Sequence, residues 1–218
     1  MTELGVFGGT FDPIHIAHLA VAEAARDALG LARILFIPAG QPPHKAGWRI
    51  SPAEDRLAMI EAAIADNPAF AVSRMELDRE GPSYTVDTLQ ALHHGTGDPA
   101  GGDDAGDGPP DLALILSADA FLGLPTWRDP ERVLALATLV VAPREGFPEA
   151  DDAFLERQFP GVPTRAVFLD GPRLRLSASD LRSRARAGRS LRYLVPDAVA
   201  AYIGDHDLYH DSLRIEPS

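Results

Sequence analysis

The chain has 218 residues, 45% of them hydrophobic, and it carries a formal net charge of −12 at neutral pH. This charge disfavours a nucleic-acid partner, because proteins that bind DNA or RNA need a broad basic face. The chain contains no cysteine, which excludes disulfides and thiolate metal sites, and no stretch approaches the ~18 uninterrupted apolar residues of a membrane span. Its first residues do not resemble a signal peptide, so we expect no membrane association and a cytoplasmic location.

The first half of the chain alternates apolar runs with helical patterns. The run LGVFGG predicts a buried strand, and a helix is expected from about His15 to Leu29, where Gly30 is suited to end it. The run ILFIPA predicts a second buried strand. Ser51–Glu54 has the pattern of a capping box with proline at the first helical position, which predicts a helix from there to about Ala65.

The second half of the chain continues the alternation. FAVSRMEL is strand-like, and a helix is predicted from Ser83 to about Leu92. LALILSA and TLVVA predict two more buried strands, and AVFLD and RLRL predict short extended segments. Two helices are expected at the end, one from about Ser179 and one from Pro196 to Ile203.

Strands that alternate with helices predict an α/β fold, a doubly wound parallel sheet covered on both faces. We expect a single domain over residues 1–218, with a core over 1–176 and a small helical portion over 177–218. The segment 95–110 is rich in glycine, aspartate and proline and has little to bury, so it is expected to form a mobile surface loop.

The most informative segment lies where the first strand meets the first helix. Its sequence is GGTFDPIHIAH, from Gly8 to His18. Glycines at the end of a strand let backbone amides approach a phosphate, and a helix N-terminus favours an anion. His15 and His18 are three residues apart and therefore share a helix face, from which both can point at one phosphate.

Other interpretations of this segment stay open on the residues alone. It lacks the second and third glycines of the dinucleotide fingerprint, and no Gly-Lys-Ser/Thr follows as in a Walker loop. The pair formed by His15 and His18 could also bind a metal or serve only the fold. The placement after an apolar strand favours the phosphate site.

The string G-G-T-F-D-P-x-H-x-x-H resembles the signature of the bacterial nicotinate-nucleotide adenylyltransferases, in the nucleotidyltransferase superfamily. The family usually has glycine where this chain has Ala17. The resemblance implies a Rossmann-like nucleotidyltransferase fold and catalytic phosphate contacts by His15 and His18. It also implies that Asp12 binds the mononucleotide and that ATP is bound by Gly8, Gly9, Thr10 and Phe11.

Further segments resemble those with which the family binds the mononucleotide. The resemblance implies that Lys45, in IPAGQPPHK, supplies positive charge at the phosphates, and that Tyr84 and Thr85, in SYT, receive the pyridine carboxylate. It also implies that Trp127, in LPTW, stacks on the pyridine ring, with Arg128 beside it, and that main-chain amides at Thr85 and at Trp127-Arg128 donate to the carboxylate. A solvated loop lysine and a core tryptophan are the alternatives.

The remaining segments resemble the ATP side of the family's site. Ser117-Ala118-Asp119 resembles G-x-D, whose aspartate holds the ATP ribose. LSASDLR resembles the family's second phosphate motif, which implies that Ser177, Ser179 and Arg182 contact ATP and that Arg182 is catalytic. By itself, this segment could also be a plain helix N-cap. The segment RYLVP, from Arg192, also matches the family.

The resemblance implies that ATP and nicotinate mononucleotide react to give deamido-NAD and pyrophosphate in NAD biosynthesis. Mg²⁺ is expected to enter with the ATP phosphates. A sister enzyme that uses another phosphate acceptor, and a catalytically silent nucleotide-binding module, are the alternative functions. A homo-oligomer is compatible with the sequence, which does not give the oligomeric state.

Overall fold

A computed structural model describes residues 3–41, 50–95 and 110–209 of the chain. The strands in these ranges are β1 (Glu3–Gly9), β2 (Arg33–Pro38), β3 (Phe70–Val72), β4 (Asp111–Ser117), β5 (Ala137–Ala142) and β6 (Ala166–Phe168). They form one sheet in the order β3-β2-β1-β4-β5-β6, and all neighbouring pairs are parallel. The predicted doubly wound α/β sheet is therefore confirmed.

Helices cover both faces of this sheet. They are α1 (Ile16–Leu29), α2 (Ala53–Ile64), α3 (Thr85–His93), α4 (Ala118–Leu122), α5 (Pro130–Leu136), α6 (Asp152–Gln158), α7 (Ala178–Arg186) and α8 (Asp197–Asp205), with a short 3₁₀ turn at Leu124–Thr126. No helix in the described ranges is long and apolar enough to cross a membrane.

Each strand supplies side chains to two separate cores because alternate residues point to opposite faces. On β2, Ile34 and Phe36 pack in the core that includes α1, α2, α7 and α8. Leu35 and Ile37 pack in the core that includes α3, α4, α5 and α6. The two C-terminal helices thus share a core with the first two helices.

The position of a ligand site follows from the strand order. The chain builds outward from β1 through β2 to β3, and then returns to place β4 on the other side of β1. Loops leave β1 and β4 in opposite directions at their carboxyl ends, which opens a crevice between them. The segment from Gly8 to His18 begins at the end of β1, and Ser117 ends β4.

The predicted capping box at Ser51–Glu54 is wrong. Helix α2 begins at Ala53, and Pro52 precedes it without a side-chain cap. The backbone amide of Ser51 donates to Oδ2 of Asp12 at 3.2 Å, and the Glu54 carboxylate accepts from Arg74 at 2.8 Å. In a capping box, the Ser51 amide and the Glu54 carboxylate would bond to each other. Both groups instead bond to residues that are distant along the chain.

Two extended segments are shorter than predicted, and three helices were missed. In FAVSRMEL only Phe70–Val72 is a strand, because the chain then turns with the Leu77 amide on the Arg74 carbonyl at 2.7 Å. RLRL forms no strand.

The short helices α4, α5 and α6 were not predicted, because five to seven residues carry too little periodicity. The predicted loop, 95–110, lies outside the described residues except at its ends.

Candidate active site

The two glycines at the end of β1 are required for different reasons. A Cβ on Gly9 would meet the ring of Phe11 at 2.9 Å, so the buried phenyl ring needs glycine there. A Cβ on Gly8 would meet no atom within 4 Å. The protein itself therefore does not demand glycine at Gly8, and the backbone there borders open space that can admit a ligand.

His15 and His18 form a stacked pair beside these glycines. Their ring centroids lie 3.6 Å apart with an interplanar angle of 12°. The His15 backbone amide donates to Nδ1 of His18 at 3.2 Å, so the proton of a neutral His18 ring is on Nε2. That nitrogen is then suited to donate to a phosphate oxygen.

His15 is a neutral imidazole at physiological pH. Its side chain is buried, and its Nδ1 has no hydrogen-bond partner in the described part of the chain. Burial, opposed by its own backbone and assisted by the positive charge of Arg144, lowers the pKa of His15 to about 4. A phosphate placed beside it would favour the protonated ring and raise that pKa.

The first and last motifs of the chain meet through Arg182. This residue is 170 positions from Asp12, yet its Nη1 donates to the Asp12 carbonyl at 2.6 Å. Its Nη2 donates to Oγ of Ser179 at 3.2 Å. The groups of the two motifs that are predicted to bind phosphate are therefore adjacent across the crevice.

The carboxylate of Asp12 is bonded within the protein. It is 3% exposed, and it accepts from the Ser51 amide at 3.2 Å and from the Tyr209 hydroxyl at 2.8 Å. The Arg182 Nη1 lies 4.0 Å from Oδ2. A direct contact between this carboxylate and the mononucleotide stays a prediction.

Asp119 lies at the carboxyl end of β4 and is paired with an arginine that the sequence did not single out. Its Oδ2 accepts from Nη1 of Arg144 at 2.6 Å, while its Oδ1 is buried without a partner in the described ranges. Burial opposes ionisation of Asp119, but hydrogen bonds with Ser117 and Arg144 hold its pKa below the usual range. The orphaned oxygen is suited to accept from a ligand hydroxyl.

The segments predicted to bind the pyridine ring also come together. The Arg128 guanidinium lies 4.7 Å from the centre of the Tyr84 ring and makes a 3.3 Å ion pair with Asp87. Thr85 is the first residue of α3, and the first amides of a helix have no acceptor within it. Trp127 is half-buried against the neighbouring core.

The main-chain donors at Trp127 are fewer than expected. The sequence predicted amide donors at both Trp127 and Arg128, but the Trp127 amide donates to the Leu124 carbonyl at 3.0 Å. This bond closes the short 3₁₀ turn before the tryptophan. The predicted main-chain donors at Thr85 and Arg128 stay predictions.

Comparisons with known proteins agree with this geometry. A family model described as cytidylyltransferase-like matches residues 6–184. A probable nicotinate-nucleotide adenylyltransferase of Roseiflexus sp. (strain RS-1) is 50% identical over 94% of this chain and 97% of that relative. One from Herpetosiphon aurantiacus is 47% identical over 96% of this chain and 99% of that relative.

The chain belongs to the nicotinate-nucleotide adenylyltransferase family. A structure of the Plasmodium falciparum nicotinic acid mononucleotide adenylyltransferase complexed with NaAD has a TM-score of 0.72 to it, with 17% identity, and the match covers 96% of this chain and 98% of that one. At this identity the likeness shows the shared fold. The family assignment made from the motifs is therefore confirmed.

Some residues predicted from the adenylyltransferase motifs have other partners in this structure or are not described. Lys45 lies outside the described residues. The Ser177 hydroxyl caps α7, accepting from the Asp180 amide at 3.1 Å and donating to its carboxylate at 2.8 Å. The Ile16 amide donates to the Leu194 carbonyl at 3.1 Å, so one donor at the start of α1 serves the fold.

Three residues of this adenylyltransferase site were missed by the sequence analysis. Arg56 is 2% exposed, and its guanidinium donates to the carbonyls of Thr10 at 3.1 Å, Ala39 at 2.8 Å and Ser51 at 3.1 Å. An arginine in an amphipathic helix usually faces solvent, and nothing local marks this one as buried. Arg144 could have been found, because it follows β5 at the same sheet edge. The third residue is Tyr209.

The two glycines offer a matched pair of substitutions. We expect Gly9→Ala to destabilise the fold by about 1–3 kcal/mol, because its methyl group overlaps the Phe11 ring. Gly8→Ala should leave the melting temperature unchanged and raise the KM for ATP about tenfold, since its methyl enters only the ligand space. Thermal melting and steady-state kinetics measure both effects. Equal stability losses in the two variants would contradict this assignment.

The buried imidazole predicts a pH effect on stability. The pKa of His15 is about 4 in the folded protein and near its ordinary value of ~6.5 in the unfolded chain. The unfolded chain therefore binds the proton first, and the free energy of unfolding should decrease as the pH falls from ~6.5 towards 4. Denaturant unfolding of wild type and His15→Gln over this range should show the slope reduced in the variant. His94→Gln, at an exposed position, should keep the wild-type slope.

Proposed function

We propose that this protein transfers the adenylyl group of ATP to nicotinate mononucleotide, giving deamido-NAD and pyrophosphate in NAD biosynthesis. The observation that carries the proposal is the contact of Arg182 with the Asp12 carbonyl, which joins both phosphate motifs at the switch point of the sheet. The stacked His15 and His18 lie beside it. Relatives named as nicotinate-nucleotide adenylyltransferases, 40–50% identical to this chain, support the same reaction.

In the proposed reaction, a phosphate oxygen of the mononucleotide attacks the α-phosphorus of ATP. A bond forms between that oxygen and the α-phosphorus, and the bond from the α-phosphorus to the bridging oxygen breaks. Pyrophosphate leaves with the electron pair. The attacking phosphate is already ionised at neutral pH, so no general base is needed, and the protein contributes positioning and charge neutralisation.

The histidines and Arg182 are proposed to bind the reacting phosphates. His18 would donate from Nε2, and a neutral His15 would donate its single ring proton. Arg182 and Lys45 would neutralise charge on the phosphates, and Ser179 would donate a hydrogen bond to them. The hydrogen bond between Arg182 and Ser179 supports a shared role. Ser177 would have to release Asp180 to join them.

The remaining predicted contacts divide between the two substrates. ATP would lie against Gly8, Gly9, Thr10 and Phe11, where open space adjoins Gly8. Its ribose hydroxyl would donate to Oδ1 of Asp119, near Ser117, which would give this orphaned oxygen a partner. Nicotinate mononucleotide would lie near Asp12, Tyr84, Thr85 and Arg128, with its ring on Trp127.

Mg²⁺ is proposed to arrive bound to the ATP phosphates. The Asp12 carboxylate already accepts from Tyr209 and Ser51, and that of Asp119 from Arg144, so phosphate oxygens and water would hold most of the ion. This hard cation commonly keeps several of its waters. When bound, it would offset negative charge on the phosphates.

The described helices α7 and α8 share a core with α1 and α2, which supports the proposal that residues 1–218 act as one nucleotidyltransferase domain. A cytoplasmic location and a homo-oligomeric state are proposals as well. Size-exclusion chromatography with light scattering would decide the oligomeric state.

Pyrophosphate release with a panel of phosphate acceptors tests the function and the substrate preference together. We expect kcat/KM for nicotinate mononucleotide to exceed that for its amide about tenfold to a hundredfold. The amide would leave unsatisfied a main-chain donor, such as that of Thr85, that the bound substrate removes from water, which costs about 1–3 kcal/mol. Preference for the amide would contradict the carboxylate pocket, and no release with any acceptor would indicate a nucleotide-binding module.

His18→Ala should lower kcat by on the order of 10²–10³ while changing the affinity for ATP much less. The reason is that one donor aimed at the transferring phosphate is lost. Steady-state kinetics and calorimetric binding of ATP measure the two effects separately. His94→Ala, at the exposed residue that follows α3, is the matched control and should keep wild-type kcat. A wild-type kcat in the His18 variant would remove it from the mechanism.

A further inference from the structure

The C-terminal turn of the described chain directs a tyrosine towards the β1–α1 loop. After α8, the Leu208 amide donates to the Ile203 carbonyl at 3.0 Å, and the Asp207 amide donates to the Gly204 carbonyl at 3.3 Å. Asp207 has φ +51°, in the left-handed region. The turn is therefore a Schellman motif with aspartate at the position where glycine is usual. This turn reverses the chain and places Tyr209 beside α2.

The backbone of Tyr209 is itself in an unfavourable conformation. Its φ is +69°, in the left-handed region that bulky residues rarely adopt. Such a conformation persists only where the surrounding contacts hold it, and it often occurs at functional positions. The contacts of the phenol group supply that restraint.

The phenol group of Tyr209 is anchored at both its ring and its hydroxyl. The ring packs against the core shared by α1 and α2, and the hydroxyl lies 3.9 Å from the Met59 sulfur. The hydroxyl donates to Oδ1 of Asp12 at 2.8 Å, across 197 residues of chain. Burial raises the pKa of Tyr209, and the charge of Asp12 raises it further, so the hydroxyl keeps its proton to donate.

Asp12 connects this tyrosine to the phosphate site. Its Oδ1 accepts from Tyr209 and its Oδ2 from the Ser51 amide, which fixes the orientation of the carboxylate and with it the loop. The carbonyl of the same residue accepts from Arg182 at 2.6 Å. Any rotation of the Asp12 backbone would therefore move the acceptor that orients the Arg182 guanidinium.

We propose that Tyr209 is a positioning residue for adenylyl transfer, which holds Asp12 and, through the Asp12 carbonyl, holds Arg182 towards the ATP phosphates. This role rests on the proposed function and adds to it a C-terminal residue that touches no substrate. The alternative is a tyrosine that only stabilises the fold.

Helix α8 offers a matched control for this proposal. The hydroxyl of Tyr202 donates to Oδ1 of Asp55 at 2.9 Å, which is a second tyrosine–aspartate bond of the C-terminal segment, made to α2 and not to the β1–α1 loop. Asp55 lies within α2 and makes no contact with the β1–α1 loop among the bonds described here. Tyr202→Phe and Tyr209→Phe thus remove the same chemical group from the same part of the fold.

We expect Tyr209→Phe to lower kcat/KM for ATP about tenfold, mainly through a lower kcat. This factor corresponds to the loss of a charge-assisted hydrogen bond. Tyr202→Phe should change kcat/KM less than about twofold, although both variants lower the melting temperature. The KM for nicotinate mononucleotide should stay near wild type in Tyr202→Phe. Equal kinetic effects in the two variants would overturn the proposal, as would a Tyr209→Phe protein that fails to fold.

A double substitution separates positioning from general destabilisation. If Tyr209 acts through Arg182, the Phe substitution should have little further effect on kcat/KM in an Arg182→Ala background. The same tenfold loss in both backgrounds would overturn the proposal. If the wild type does not transfer adenylyl groups, the proposed function fails. Calorimetric Kd values for ATP in the wild type, Tyr209→Phe, Arg182→Ala and the double variant then test the positioning role. Non-additive losses of affinity support it, and additive losses overturn it.

Discussion

The buried carboxylate of Asp12 is the constraint on which the site depends. A carboxylate that is 3% exposed must be hydrogen-bonded, because an unpaired charge in the interior costs several kcal/mol. Its donors come from the segment before α2 and from the C-terminal turn, and its carbonyl binds the guanidinium of α7. Satisfying one residue therefore brings three distant segments to the carboxyl end of β1.

Although the chain has a net charge of −12, the crevice is rich in positive charge. Arg182 donates to the Asp12 carbonyl, Arg144 donates to the Asp119 carboxylate, and Arg56 donates to three loop carbonyls. These arginines are thus oriented before an anion arrives, which reduces the reorganisation needed in the reaction. Burial and the positive charge of Arg144 lower the pKa of His15 to about 4, so His15 adds no positive charge to the crevice at neutral pH.

The pyridine side of the site is held by contacts of a different kind. Arg128 lies over the Tyr84 ring and pairs with Asp87, which connects the turn before α5 to the start of α3. The Trp127 amide is used within its own turn, so this turn is rigid but offers one donor fewer than the sequence suggested. Selectivity for a carboxylate would then rest on a small number of bonds, and the loss of one would change the preference measurably.

The sequence by itself determined the alternation of strands and helices, the doubly wound fold and the two phosphate motifs. These features lie in contiguous residues, where burial on both faces of a strand or a glycine turn before a helix leaves a local pattern. Only the tertiary structure decided the roles of Arg56, Arg144 and Tyr209 and the pairing of the Ser51 amide. Apart from the Ser51 carbonyl, which is five positions from Arg56, their partners are 17 to 197 positions away along the chain. No local pattern shows which distant group a buried polar atom will bind.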